Sequence, residues 1–340
     1  MSDVITKENR NINIDIIKCL AIFFVISVHF FLNNNFYNTT INCPRMYVMV
    51  AMRTFFMMCV PLFILITGYL MNKKEFSAKY YIGLNKIILP YIILTIITLI
   101  AKIFLCKYGI FPKGSFLYYL KDFCRFNLIE YAWYVEMYIG LYLLIPFVNK
   151  MFTDNKIQDT VLVLTMAFLT IAPVILTYWK FIWILAYYVI GAYIQRYKTK
   201  ISQKYLIVMF ISAFLFFSLL NILLSNGYNF NIQGLDSWYS IENATTSILF
   251  FLILLNVNFE NLSLKIKNII SSVAKLSLGI YLSSYLFDNI IYYYFNLYIT
   301  NTTAKLEWYL VIVPCVFICS LILAKFTDKI TGYINKKITG

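Results

Sequence analysis

The chain has 340 residues, of which 61% are hydrophobic and 13% charged, and its formal net charge is +14. So few charges, with a positive mean hydropathy of +0.74, exclude an ordinary soluble domain, in which about a quarter of the residues are charged. The excess of lysine reads as loop charge facing the inner side of a membrane and attracted to anionic lipid, not as a nucleic-acid footprint.

Apolar runs long enough to cross a bilayer recur along the whole sequence. In chain order ten are expected, over residues 15–32, 47–71, 84–105, 132–148, 160–176, 181–193, 205–224, 246–257, 276–293 and 308–324. The sixth and eighth are short, and residues 178–180 and 241–245 extend them. With the N-terminus inside, only seven of the 29 basic residues (Arg45, Lys107, Lys113, Lys121, Arg125, Lys180 and Lys305) fall on outer loops. Lys18, Arg53 and Lys102 lie in or near spans, and the other nineteen are on the inner side. This asymmetry predicts an all-α integral membrane protein with both termini cytoplasmic. The first run is too long for a cleaved leader, is followed by no small-x-small site, and carries charges. No Pro/Gly/Ser-rich linker divides the chain, so a single membrane domain over 1–340 is expected, without a separate soluble domain. The seven cysteines are too scattered to be a disulfide framework, and Cys315 and Cys319 read as apolar filler, so no metal site is expected.

His29 is the only histidine, and it lies inside the first span. Lys18 precedes it by eleven residues, close to three full turns, so the two share one helix face about 16 Å apart. Asp15 joins that face through its i,i+3 relation to Lys18, and can pair Lys18 or Arg10. Ionisable groups at mid-membrane cost roughly 2.5–3.5 kcal/mol each unless they line a cavity or find a partner. A lone membrane histidine can simply be a helix-packing hydrogen-bonder, and Lys18 can snorkel to the interface. Glu136 and Asp288 are further intramembrane acids and functional candidates on the same ground. Two long outer loops, about 106–131 and 225–245, mix aromatic with polar residues, as an interfacial belt or a carbohydrate-stacking mouth would.

The stretch Asn13-Ile14-Asp15-Ile16-Ile17-Lys18 through His29 resembles the opening helix of the membrane acyltransferase-3 family, with Lys18 where that family usually has arginine. Val60-Pro61-Leu62-Phe63 through Thr67-Gly68-Tyr69 is similar to its V-P-x-F-F-x-x-S-G-[FY] segment. Lys86 through Pro90-Tyr91, Trp133-Tyr134 through Pro146, Tyr187 through Tyr193 and Leu276 through Leu282 are similar, in order, to later family segments. Ten spans is also the family's count. The sequence departs from the pattern in several places. The paired arginines before the third-span proline are reduced to Lys86, the late histidine is replaced by Ser283-Ser284, and Tyr131 stands where some members have histidine.

The resemblance implies transfer of an acyl group, usually acetyl from cytoplasmic acetyl-CoA, to a hydroxyl of a cell-surface or secreted glycan at the outer face of a bacterial plasma membrane. Under that reading His29 is the general base, since imidazole titrates near neutrality. Glu136 orients either it or an acceptor sugar, and Lys18, Lys86, Asp15 and Thr67 face the CoA donor. Lys is a good point-charge partner for phosphate. Trp133, Tyr134 and Asp288 face the acceptor. Thr67-Gly68 also reads as a close-packing pair, Lys86 as a positive-inside residue, and Trp133 and Tyr134 as interfacial anchors. Two rival classes are a transporter or flippase of a lipid-linked sugar, and a non-catalytic membrane scaffold. The acceptor glycan, the acyl group and the oligomeric state are not legible.

Overall fold

The computed structural model describes residues 10–171, 177–198, 201–230 and 237–339. Among them the chain is helical, and the β-type pairings are two isolated bridges, Thr40 with Asn229 and Ile41 with Asn226. In chain order the helices are α1 (Ile12–Asn33), α2 (Pro44–Phe56), α3 (Cys59–Met71), α4 (Ala78–Ile82), α5 (Asn85–Leu105), α6 (Phe116–Cys124), α7 (Trp133–Asn149) and α8 (Lys156–Thr170). They continue as α9 (Trp183–Tyr197), α10 (Gln203–Ser225), α11 (Ile241–Asn256), α12 (Leu264–Lys275), α13 (Ser277–Tyr298), α14 (Thr302–Lys305) and α15 (Tyr309–Thr339).

Among the described residues each expected apolar run falls on a helix, residues 172–176 of the fifth lying outside them, but not all of these helices have the length of a span. Six helical stretches, over residues 12–33, 44–71, 78–108, 130–149, 203–225 and 302–335, are long and apolar enough to cross a membrane. The pair α12 and α13, bent by 67° at Leu276, makes a seventh if it is one broken span. The count of ten needs α8, α9 and α11 as well. These have 15, 15 and 16 residues, or about 22–24 Å at 1.5 Å per residue against a hydrocarbon core of about 30 Å. They could cross only where the bilayer thins or flanking residues lengthen them.

Helix α1 runs through the middle of the bundle. It packs on α2, α3, α11, α12, α13 and α15, and it is apolar nearly all round, as a fully surrounded helix must be. Its start is fixed by polar contacts. Asn11 caps it by accepting from the Asn13 amide at 2.9 Å. The Asn13 side-chain amide donates to the carbonyls of Leu254 and Val257 at 2.8 and 2.7 Å, at the end of α11. Asp15 accepts from Arg10 Nη2 at 3.0 Å and from Ser271 Oγ at 2.7 Å, which ties α1 to α12.

The second span is broken between α2 and α3 at Met57-Met58. Pro61 explains the break, because it has no N–H for the carbonyl of Met57 and its ring crowds that group. Beyond the break, α3 and α9 pack backbone to backbone. A Cβ on Gly68 would fall 2.0 Å from the Tyr188 carbonyl oxygen, and one on Gly191 would fall 2.2 Å from that of Leu65. The Thr67-Gly68 pair therefore has its structural role here in the glycine, whose missing side chain lets the helices touch. Gly68→Ala and Gly191→Ala should each lower the thermal midpoint of the purified protein, by the 1–3 kcal/mol typical of overpacking. Gly140→Ala, whose Cβ would meet nothing within 4 Å, should leave stability unchanged or raise it slightly.

Candidate active site

His29 lies about one turn before the end of α1, and α13 brings Asp288 against it. His29 Nδ1 and Asp288 Oδ2 are 3.0 Å apart. Asp288 is fully buried and His29 is 8% exposed. The same carboxylate oxygen accepts the Tyr131 hydroxyl at 2.9 Å. Tyr131 sits in the short turn Glu130–Ala132 that leads into α7, and its ring lies over the imidazole, with centroids 3.8 Å apart. Asn33, one turn beyond His29, donates to the His29 carbonyl at 2.8 Å and to the Tyr131 hydroxyl at 3.4 Å. The Tyr281 hydroxyl, one helical turn before Tyr285 on α13, donates to the Tyr131 carbonyl. Three separate elements thus meet on one imidazole.

The polarity of this pair follows from its partners. An ionised carboxylate is acceptor-only, so a neutral imidazole bonded to it carries its proton on Nδ1 and keeps Nε2 as an acceptor. Asp288 Oδ1 and the Tyr292 hydroxyl are buried and have no hydrogen-bond partner among the described residues. A polar group left unpaired in a protein interior costs about 1–3 kcal/mol. Such groups concentrate where function requires them.

Two cavities approach this centre. One, of about 210 Å³, is lined by Lys18, Thr67, Ile87, Tyr134, Tyr138 and Met71, among others. The other, of about 400 Å³, is lined by His29, Arg53, Trp133, Trp183, Trp238 and Tyr239, among others. Val25, Val60 and Tyr281 line both, so the two cavities adjoin at these three side chains. On α1 the residues Lys18, Val25 and His29 follow one face, and the helix presents its cation to the first cavity and its imidazole to the second.

The residues singled out by sequence distribute as follows. Lys18 and Thr67 line the first cavity. Lys18 has no hydrogen-bond or close ion-pair partner among the described residues, and the Thr67 hydroxyl donates to the Phe63 carbonyl at 2.8 Å. Lys86 is exposed on α5, beside the cavity-lining Ile87. Asp15 is engaged by Arg10 and Ser271 and lines neither cavity. Trp133 and Tyr134 are adjacent in sequence but separate in space, Trp133 in the His29 cavity and Tyr134 in the Lys18 cavity. Glu136 is exposed, in a third depression with Met137, Gly140 and Ile184. It lies about 200° around α7 from Tyr134, which faces inward. The carboxylate that holds His29 is therefore Asp288, expected on the acceptor side, and not Glu136.

Sequence reasoning did not assemble the rest of the centre. Tyr131 was visible only as a replacement for a histidine, and Tyr281 only as a letter of the late Leu276–Leu282 segment. Trp238 stacks on Trp133 at 6.2 Å between centroids and 25° between planes. Arg53, 2% exposed, donates through Nε to the Tyr37 hydroxyl at 3.1 Å and lies 4.7 Å from the Phe230 ring centroid. A buried arginine within an apolar span is a signal in itself, but only the fold gives it a cavity to line. Among the described residues no group of three His, Cys, Asp or Glu side chains could hold a metal ion.

The apolar helices define a multi-pass membrane protein, in which a buried histidine–carboxylate pair borders a cavity. A family model described as an acyltransferase domain matches residues 11–325, nearly the whole chain. The protein belongs to the acyltransferase-3 family and is a membrane acyltransferase. No curated protein and no solved structure matches the chain.

A chain with a single histidine allows a direct test of the pair. Nitrogen-15 NMR of protein labelled only in histidine should show the imidazole protonated on Nδ1 with Nε2 bare, and Asp288→Asn should alter that pattern. An Nε2-protonated ring in the wild type would contradict the pairing.

Proposed function

We propose that the protein is an O-acyltransferase that takes an acyl group, acetyl by the family resemblance, from cytoplasmic acyl-CoA. It delivers this group to a hydroxyl of a cell-envelope or secreted glycan at the outer face of a bacterial plasma membrane. The single observation that carries this reading is the His29–Asp288 pair, whose imidazole lines a cavity with stacked tryptophans that adjoins the cavity lined by Lys18. Both chain termini are then cytoplasmic, as the distribution of basic loop residues implies, and the Lys18 cavity opens on the donor side.

In this mechanism the acceptor hydroxyl enters the His29 cavity and its proton passes to Nε2 as the oxygen attacks the thioester carbonyl. The new bond is the ester C–O. The bond broken is the C–S bond, and the departing thiolate takes up the proton from the His29 imidazolium, which returns the base to its neutral form. Asp288 holds Nδ1–H and stabilises the imidazolium as it forms, the role a buried carboxylate plays behind a catalytic histidine. Positioned general bases contribute about 10²–10⁴-fold. Tyr131 orients the carboxylate through its hydroxyl and the imidazole through its ring. The Trp133–Trp238 pair offers a flat apolar face for a sugar ring, and Lys18 a point charge for the donor's phosphates or polar arm. No nucleophilic serine or cysteine is needed, so direct transfer is favoured over a covalent acyl-enzyme.

The test is acyl transfer by membranes containing well-expressed variants, with radiolabelled acetyl-CoA supplied to inverted vesicles. Wild type should leave label on glycan. His29→Ala should abolish it, Asp288→Asn should lower it by about 10²-fold or more, and Glu136→Gln should stay within about twofold, the range for an exposed residue away from such features. Full activity in His29→Ala would sink the mechanism. Glycan movement without label transfer would favour a transporter.

A further inference from the structure

A third cavity, of about 650 Å³, is lined by Asn72, Lys73, Lys74, Lys150 and Arg196 together with Glu75 and Asp154. It is built where three chain segments meet: the end of α3, the end of α7 and the end of α9. Asn149 fastens two of them, its amide donating to the carbonyls of Met71 and Lys74 at 2.8 Å each. The Tyr188 hydroxyl donates to its side-chain oxygen at 2.7 Å and adds the third. Arg196 is held at the rim by donating to the Asn72 carbonyl at 2.7 Å, and its guanidinium lies 4.4 Å from the Phe152 ring centroid.

Four cations here face two carboxylates, and one of those, the exposed Asp154, is already paired with Arg196. The remaining lysines are exposed, unlike the apolar walls of the neighbouring Lys18 cavity. Two buried polar atoms have no partner among the described residues: Arg196 Nε, a donor, and Asn72 Oδ1, an acceptor. Asn72 is only 4% exposed. The chain passes directly from Leu70 and Met71, which line the Lys18 cavity, to Asn72, which lines this one. A ligand could therefore place a charged end here and a narrow arm beside Lys18.

We propose that this basic cavity binds the nucleotide end of the acyl donor, an adenosine carrying a 3′-phosphate and a 5′-diphosphate. The assignment rests on the acyl-CoA reading above. Lys73, Lys74, Lys150 and Arg196 meet the phosphates, and the acceptor oxygen of Asn72 suits the exocyclic amine of adenine. The arm then runs toward Lys18 and ends at Val25, Val60 and Tyr281, the side chains that its cavity shares with that of His29. The basic residues lost from the third-span segment, where only Lys86 remains, are replaced by cations from other loops.

The probe is adenosine 3′,5′-bisphosphate, titrated against the purified full-length protein at low salt. Wild type should bind it, and more weakly as salt rises, because exposed charges are screened. A combined Lys73→Gln, Lys74→Gln and Lys150→Gln variant with an unchanged thermal midpoint should bind at least tenfold more weakly. His29→Ala should bind as wild type does. Unchanged affinity in the triple variant, with loss instead on Lys18→Gln or Lys86→Gln, would overturn this site and leave the donor reading intact. Loss of co-purifying phosphatidylglycerol with nucleotide affinity unchanged would make it a lipid headgroup site and likewise overturn it. Absence of binding to wild type, by the bisphosphate and by CoA alike, would overturn the donor reading and the site together.

Discussion

The hydrogen bond between His29 Nδ1 and Asp288 Oδ2 is the constraint on which the arrangement of this bundle turns. A carboxylate taken wholly out of water costs several kcal/mol even after relaxation, and it is tolerated only where donors meet it. Here the donors come from two different places in the chain, an imidazole on α1 and a phenol just before α7, so satisfying one buried acid on α13 fixes three elements relative to one another. Tyr281 closes the set by holding the backbone that carries the phenol. The same bonds that make the acid tolerable also select the tautomer of the imidazole and leave its other nitrogen free to accept. Stability and chemical competence therefore depend on the same contacts.

A second constraint is the junction between the two cavities. In acyl transfer across a membrane the donor and acceptor stay in different compartments, and an open passage would leak ions. Val25, Val60 and Tyr281 line both the Lys18 and the His29 cavity, so the two adjoin at these side chains and the reacting groups meet there. Helix geometry places both functional groups of α1 on one face, so a single rigid element can serve both sides. The proline break at Met57-Met58 and the glycine contact between α3 and α9 shape the neighbouring walls. One turns the chain at the mouth of the His29 cavity, and the other draws two helices close enough to close the bundle.

Much of this was legible in the sequence, for physical reasons. Apolar runs mark helices in a membrane protein because the backbone must satisfy its own hydrogen bonds there. A lone ionisable side chain in such a run stands out because it is costly. That made His29, Lys18 and Asp288 visible, and the eleven-residue spacing gave His29 and Lys18 a common face. Spacing within a helix says nothing about which other helix comes to meet it. Asp288 could not be matched to His29 across a separation of 259 positions, and Glu136, nearer in sequence, points off the opposite face of α7. Span length is less legible. Composition finds apolar stretches but not where their helices stop: α8 ends at Thr170, inside its expected run, while α9 continues to Tyr197, past its own. The basic cavity escaped notice because its lysines look like ordinary loop charge until three loop ends are brought together.

The central claim is that one buried base serves a donor on one side of the membrane and an acceptor on the other. Proteoliposomes with uniformly oriented protein test it most directly, with radiolabelled acetyl-CoA confined to one face and glycan acceptor to the other. The account predicts label on the glycan when donor and acceptor are on opposite faces of an intact bilayer, dependent on both His29 and Asp288. Label appearing only when both substrates share one face would contradict it.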